Sequence, residues 1–335
     1  MAELNNRLPP VAGKRRLLWR RGQRKFALQA IIFFGYRKSK ECSPKILDFR
    51  ANGISDQERV DFINTLTAFL TESVMSRICP LFSGSTGNST YIATPSGSFL
   101  VDVGVSYRAL CAALDGVGGG IDEISAIFIT HSHTDHIKGL KVLLKNNKIP
   151  VYSSEKTADA LIAAGIFGAG DDVRTFEISA EVCGTEITRF NTMHDCPGSG
   201  GYCFSAADGR KISVCTDLGK VTDEVRQALS GSDAVLIESN HDVEMLKNGP
   251  YPPELKVRVM SDNGHISNNA CASELPRLLN GGTKRFILGH ISLNNNTPLL
   301  ALSAARAVLT DAGAAENRDY TLSAAKPKDN GVTVV

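Results

Sequence analysis

The spacing of apolar residues changes several times along the chain, and each change marks a new element. From residue 78 onward the pattern is regular. Apolar runs at 89–94 and 98–103 flank Pro95-Ser96-Gly97, a hairpin signal. Positions 106–114 carry helical spacing, and the glycines within 116–120 end it. The uninterrupted run 124–130 reads as a buried strand, and 135–145 as a helix that starts in a histidine-rich turn. A short strand at 150–153 and a helix at 154–164 follow. Further strands are expected near 186–193, 201–206 and 211–216, then a helix near 219–229. The pattern closes with a strand at 234–239, a helix at 267–279, a strand at 285–289 and a helix at 298–312. Early hairpin strands followed by strands mixed with helices predict an α/β protein, with two sheets and helices on their outer faces.

The first 74 residues read differently. A basic run at 14–25 encloses Leu17, Leu18 and Trp19, an apolar run follows at 26–36, and polar sequence continues to 52. This order mimics a secretory signal, but the apolar run is short, starts late and is followed by no small-residue cleavage site. Nucleic-acid binding by the basic run is one reading. The preferred one takes 1–74 as an N-terminal extension, poorly ordered or a mis-assigned start, with Met75 as the true start and 75–335 as the folded body. Within the extension, 56–71 has the pattern of one amphipathic helix.

Charge sharpens that division. The net charge of +2 conceals 14 Lys/Arg against 7 Asp/Glu in residues 1–74, and 23 against 28 in 75–335. The body is therefore mildly acidic, and an anionic substrate must be drawn to it by a local feature. No stretch approaches the roughly 18–20 apolar residues of a membrane span. The eight cysteines form no Cys-x-x-Cys pair, which suits free thiols in a reducing, cytoplasmic compartment.

The densest chemistry lies at His131-Ser132-His133-Thr134-Asp135-His136, directly after the strand-like run 124–130. Imidazoles gather usefully only if they stay neutral and share a cation, and the carboxylate supplies the charge a divalent ion requires. His131 and His133, two apart on extended chain, face the same way and can hold one ion. Asp135 and His136, where the chain turns, can face a second. His194 follows a strand and suits the first ion as third ligand. Asp217 precedes Gly219 and a predicted helix, where it is either an N-cap or a carboxylate bridging the two ions.

These residues resemble the metallo-β-lactamase superfamily of binuclear metallohydrolases. The resemblance rests on the His131-x-His133-x-Asp135-His136 signature, the later lone His194, the Thr216-Asp217-x-Gly219 turn and the final His290. It covers about 78–300. It implies a four-layer αββα sandwich with His131, His133 and His194 on the first metal. Asp135, His136 and His290 would hold the second, with Asp217 bridging. Finer matches are Leu81-Phe82-Ser83-Gly84-Ser85-Thr86-Gly87-Asn88, His194-Asp195-x-Pro197-x-Ser199-x-Gly201-Tyr202 and Glu238-Ser239-Asn240-His241-Asp242. To these add Gly249-Pro250-Tyr251-Pro252, Gly264-His265-Ile266-Ser267-Asn268 and His290-Ile291-Ser292 with Asn294-Asn295-Asn296-x-Pro298. Together they resemble the YycJ/WalJ branch, cytosolic hydrolases associated with exonuclease activity on double-stranded DNA.

The resemblance implies a phosphodiesterase or nuclease acting on DNA, 5′-exonuclease-like, without membrane association. Two divalent ions about 3.5–4 Å apart, Zn first and Mn second, would generate a bridging hydroxide and clamp a phosphoryl oxygen. The catalytic residues it points to are His265, Glu238 and Asp135. His265 would be the general acid and Glu238 the carboxylate that orients it, while Asp135 would also ligate metal. A rival role puts His265 on the second metal with His290 outside. His241 is open between a structural hydrogen bond and a substrate contact, and the Ser83–Asn88 segment between a tight turn and a phosphate cradle. The interval between Asp217 and His265 is too short for the inserted domain of ribonuclease J relatives. His133, where diiron flavoproteins carry an acidic residue, favours hydrolysis over oxygen reduction. Rival functions are a glyoxalase II-like ester or thioester hydrolase and a non-catalytic metal-binding sensor.

Overall fold

The computed structural model describes residues 75–335 throughout and, before them, only the backbone of four strands. These are β1 (Glu3–Leu4), β2 (Lys14–Arg20), β3 (Gln29–Phe33) and β4 (Lys45–Arg50), which pair antiparallel in the order β1-β2-β3-β4. The helix expected at 56–71 lies outside the described residues. The chain divides into two compact units, Met1–Val74 and Met75–Val335.

The second unit contains two seven-stranded sheets. Its strands begin with β5 (Arg77–Phe82), β6 (Ser89–Thr94), β7 (Gly97–Val101), β8 (Ile124–Phe128), β9 (Val151–Ser153) and β10 (Val173–Thr175). They continue with β11 (Ser179–Val182), β12 (Thr185–Asn191), β13 (Gly200–Ser205) and β14 (Lys211–Cys215). The last four are β15 (Ala234–Glu238), β16 (Arg285–Gly289), β17 (Thr321–Ala324) and β18 (Thr333–Val334). One sheet runs β10-β9-β8-β7-β6-β5-β18 and the other β11-β12-β13-β14-β15-β16-β17.

Three apolar layers hold the sheets and helices together. Successive residues of a strand face opposite sides, so β8 sends Ala126 and Phe128 inward and Ile127 outward. β15 likewise sends Leu236 inward and Val235 and Ile237 outward. The inward set meets Phe99, Tyr202, Phe204 and Ile212 from both sheets. On one outer face Leu110, Leu140, Leu143 and Leu161 come from the helices Tyr107–Gly116, Leu140–Asn146 and Glu155–Ala163. On the other, Val225, Leu275 and Leu309 come from the helices Asp223–Leu229, Asn268–Asn280 and Pro298–Asp311. The result is a four-layer αββα sandwich. Strands covered on both faces read as unbroken apolar runs, which is why the central ones stand out in the sequence.

One expected element is split. The pattern 135–145 forms two helices, Thr134–Ile137 and Leu140–Asn146. Gly139 N donates to Val103 O, and the glycine sits so close to the Val105 carbonyl that a Cβ has no space. The short helices Val243–Asn248 and Pro253–Met260 and the edge strands β10, β11, β17 and β18 lie where the apolar pattern is too brief to announce them. Among the described residues, no helix is long and apolar enough to cross a membrane.

The topology concentrates chemistry at one end of the strands. β7 and β8 are parallel, as are β14, β15 and β16. Asp102, His131, Asp217, Glu238 and His290 each stand at or just beyond the carboxyl end of one of them.

Candidate metal centre

β8 delivers Thr130 and His131 as it leaves its sheet. Thr130 N and Oγ1 donate to the two carboxylate oxygens of Asp102, 2.9 and 2.8 Å away, and this fixes the exit. The chain stays extended through His133 and then enters the helix Thr134–Ile137. The nitrogens His131 Nε2, His133 Nδ1 and His194 Nε2 face one another, with separations of 3.0 Å (131 to 133) and 3.2 Å (133 to 194). Tetrahedral Zn–N bonds of about 2.0–2.1 Å would place neighbouring nitrogens about 3.3 Å apart. The outer nitrogens set the tautomers. His194 Nδ1 donates to Gly264 O at 3.1 Å, leaving Nε2 with its lone pair pointing inward. Burial, then neighbouring imidazoles, holds His131 well below the ordinary histidine range, and burial and His194 lower His133. Both are therefore neutral, as metal ligands must be.

A second donor group adjoins the first. His136 Nε2 lies 3.6 Å from Asp135 Oδ2 and 3.3 Å from Asp217 Oδ2. His290 Nε2 lies 3.7 Å from Asp135 Oδ2 and 3.6 Å from Asp217 Oδ1. Asp217 Oδ1 is also 4.0 Å from His194 Nε2, so its carboxylate reaches both groups. Asp217 is not the cap of the following helix, whose N-cap is Thr222. Donor atoms of His131, His133 and His194 lie within 4.8 Å of one another, as do those of Asp135, His136 and His290 and those of His131, His136 and Asp217.

Carboxylates behind the imidazoles aim them. Asp102 Oδ2 accepts from His136 Nδ1 at 2.7 Å, and Glu238 Oε1 accepts from His290 Nδ1 at 2.8 Å. Burial opposes charge on His136, but Asp217 and Asp102 outweigh it and raise the group to about 9. Against the same burial penalty, Asp217 and Glu238 lift His290 well above its ordinary value. Burial pushes the other way on Asp217, yet His290 and His136 hold it below the usual carboxylate range. The second group thus carries protons where its carboxylates call for positive charge. Asp217 Oδ2 and His290 Nε2 are buried and make no hydrogen bond among the described residues. Buried polar atoms rarely stay unpartnered, and a divalent cation would satisfy both. Asp102, Asp217 and His290 all have positive φ, 64°, 60° and 51°, a conformation that costs non-glycine residues about 1–3 kcal/mol and clusters at functional sites.

His265 stands at the mouth. Its Nδ1 donates to Glu238 Oε1 at 2.8 Å, the oxygen that also serves His290. Despite burial, Glu238 raises His265 above its ordinary value. His265 is absent from the group formed by Asp135, His136 and His290, but donor atoms of His265, Asp217, Glu238 and His290 also lie within 4.8 Å of one another. Glu238 is fully buried and, against burial, the two histidines hold it far below the carboxylate range. His241 is 3% exposed with Nδ1 unpartnered and joins neither donor group.

Three more residues support the centre: Ser83 and Asn88 lie in the Leu81–Asn88 motif, whereas Asp102 lies outside every motif named above. Asp102 interrupts the apolar stretch Val101-Asp102-Val103, and that lone acid at a strand end was its available signal. Asn88 places its carboxamide nitrogen 3.0 Å from His136 Nε2 and 3.3 Å from Asp135 Oδ2. Ser83 Oγ accepts from His290 N at 2.8 Å. The Ser83–Asn88 turn, closed by Gly87 N donating to Gly84 O, thus buttresses the centre. Asn296 donates to the Ser239 and Asn240 carbonyls, and Asn240 to the His290 carbonyl, so these amides shape the His290 loop.

Comparison with known proteins agrees with this geometry. Residues 98–291 match the model of the β-lactamase superfamily domain. The chain is 37% identical over 257 residues to exodeoxyribonuclease YycJ of Bacillus anthracis, covering 74% of this chain and 94% of that one. It is 37% identical over 225 residues to exodeoxyribonuclease WalJ of Streptococcus pneumoniae, covering 66% and 83%. The metallo-β-lactamase-fold protein YhfI from Bacillus subtilis superposes with a TM-score of 0.56 at 14% identity, covering 77% of this chain and 98% of that one. Sequence, fold and the convergence of donors at one strand edge agree: the chain belongs to the metallo-β-lactamase superfamily and, within it, to the YycJ/WalJ branch.

Proposed function

We propose that the protein is a binuclear metal-dependent phosphodiester hydrolase that degrades DNA from an end, as the names of its YycJ and WalJ relatives state for them. The observation that carries this reading is the pair of adjoining donor groups joined by the Asp217 carboxylate. His131, His133 and His194 would hold one ion, and Asp135, His136 and His290 the other, with Asp217 shared. Imidazole and carboxylate donors suit Zn, with Mn as the alternative. When bound, such a pair supplies Lewis acidity and a water-derived nucleophile at neutral pH. The chain's own residues do the rest. Asp102 and Glu238 aim His136 and His290. Glu238 also holds His265 with its Nδ1 engaged, leaving Nε2 to carry the proton that a leaving oxygen needs. We place this hydrolase in residues 75–335, with 1–74 as an extension outside the chemistry. Among the described residues seven cysteines are unpaired, which suits a reducing cytoplasm.

The test is turnover of end-labelled duplex DNA, RNA and a thioester by metal-loaded protein, with metal content from elemental analysis. DNA should be degraded, and His265→Gln should slow this by about 10²-fold or more while metal content stays. Preferential thioester cleavage would replace this reading with the glyoxalase-like one.

A further inference from the structure

We propose that Arg258 is a phosphate clamp, gripping the DNA backbone at the phosphate next to the one cleaved. The inference rests on the nuclease reading and deepens it. Arg258 lies in the last turn of the helix Pro253–Met260. Its Nε donates to Asp195 Oδ2, and its terminal nitrogens make no hydrogen bond among the described residues. The side chain is half exposed. The other oxygen of Asp195 lies 3.4 Å from His194 Nε2 and 3.8 Å from His133 Nε2. The guanidinium is therefore one carboxylate away from the first donor group, in a side chain that is half exposed.

The segment that carries Arg258 is part of the site. His265 N donates to Val259 O, and Gly264 O accepts from His194 Nδ1. The Ser261 hydroxyl and amide both bond the Arg258 carbonyl. One short turn thus fixes the spacing between Arg258, the general-acid candidate and a first-group histidine. A planar guanidinium with two unused donors on one edge matches the oxygens of a phosphate. The donors gathered around Asp217, together with His265, serve the scissile group. Arg258 stands outside them, beside the first donor group, within reach of a phosphate adjoining the scissile one. Such a cation is needed because the body has more acidic than basic residues and lacks a broad field to hold DNA.

The alternative is an ordinary surface ion pair between Arg258 and Asp195, and salt dependence separates the two. Fluorescence anisotropy on a labelled duplex compares metal-loaded full-length His265→Gln protein, in which cleavage is slow, with His265→Gln/Arg258→Gln and His265→Gln/Arg258→Lys. The Arg258→Gln change should weaken binding about 10-fold and reduce the slope of log affinity against log salt by about 0.9. Arg258→Lys should restore the slope and only part of the affinity. A single methylphosphonate beside the scissile position should weaken binding to the parent and leave the Arg258→Gln protein indifferent. Unchanged affinity and slope in the Arg258→Gln protein overturn the clamp, as does loss of metal from that variant, which would assign the pair to structure. A wild-type protein that binds DNA but does not degrade it overturns the nuclease reading, and the slope still judges Arg258.

Discussion

At Glu238 a single carboxylate oxygen accepts from His265 Nδ1 and His290 Nδ1, while the second accepts from Leu218 N and Ile266 N. Glu238→Gln keeps the shape and removes the charge that outweighs burial to raise His265. In its proposed role as general acid His265 must be protonated to act, so activity would fall as pH rises through its pKa. The variant's alkaline limb should therefore move to lower pH, with turnover down about 10²-fold. A pH–rate profile with an unmoved alkaline limb would remove Glu238 from the acid's environment. Asp102→Asn should act differently, because Asp102 aims His136. Metal affinity should fall about 10- to 100-fold, read by chelator competition. The two residues also differ in legibility. Glu238 and His265 sit in local motifs, and so do the six residues of the His131–His136 turn. Asp102 meets His136 across 34 positions, and nothing in its own neighbourhood spells out that partnership.

Between elements, the centre depends on backbones that approach too closely for a side chain. A Cβ on Gly219 would collide with the Ser261 and Asp262 backbone, where the Asp217 turn meets the turn leading to His265. Gly219→Ala should cost about 1–3 kcal/mol and also reduce bound metal, because separating those turns moves Asp217. Gly116 has nothing within 4 Å of its added Cβ and ends the helix Tyr107–Gly116. Gly116→Ala should leave stability equal or raised by about 0.4–1 kcal/mol. Urea midpoints with elemental analysis decide both, and equal effects at the two positions would refute the packing argument. Close approaches of this kind are what apolar periodicity cannot express. The run 135–145 has a helical pattern, yet Gly139 against Val105 breaks it in two. The central strands were legible because both faces are buried. β10 and β11 were not, because their residues are mostly half-buried or exposed and offer no apolar run.

Over the whole molecule, two packed sheets force buried carboxylates and imidazoles together, so stability is tied to both protons and metal. In the metal-free protein His136 is raised to about 9, since Asp217 and Asp102 outweigh its burial. A group with a raised folded pKa adds stability that is fully present below its unfolded value of about 6.5 and is lost as pH rises through the folded one. The metal-free Tm should therefore decline between pH 6.5 and 9. Metal ligands must be deprotonated, so uptake of a divalent ion displaces these protons and becomes easier as pH rises. The metal-loaded protein should lose less over the same interval, and the Tm gap between the two forms should widen with pH. Proton release on adding Zn to weakly buffered metal-free protein at pH 7.5 should accompany it. A gap that is constant from pH 6.5 to 9, with no protons released, would mean that His136 and His290 do not exchange their protons for metal, and the second donor group would lose its claim to an ion.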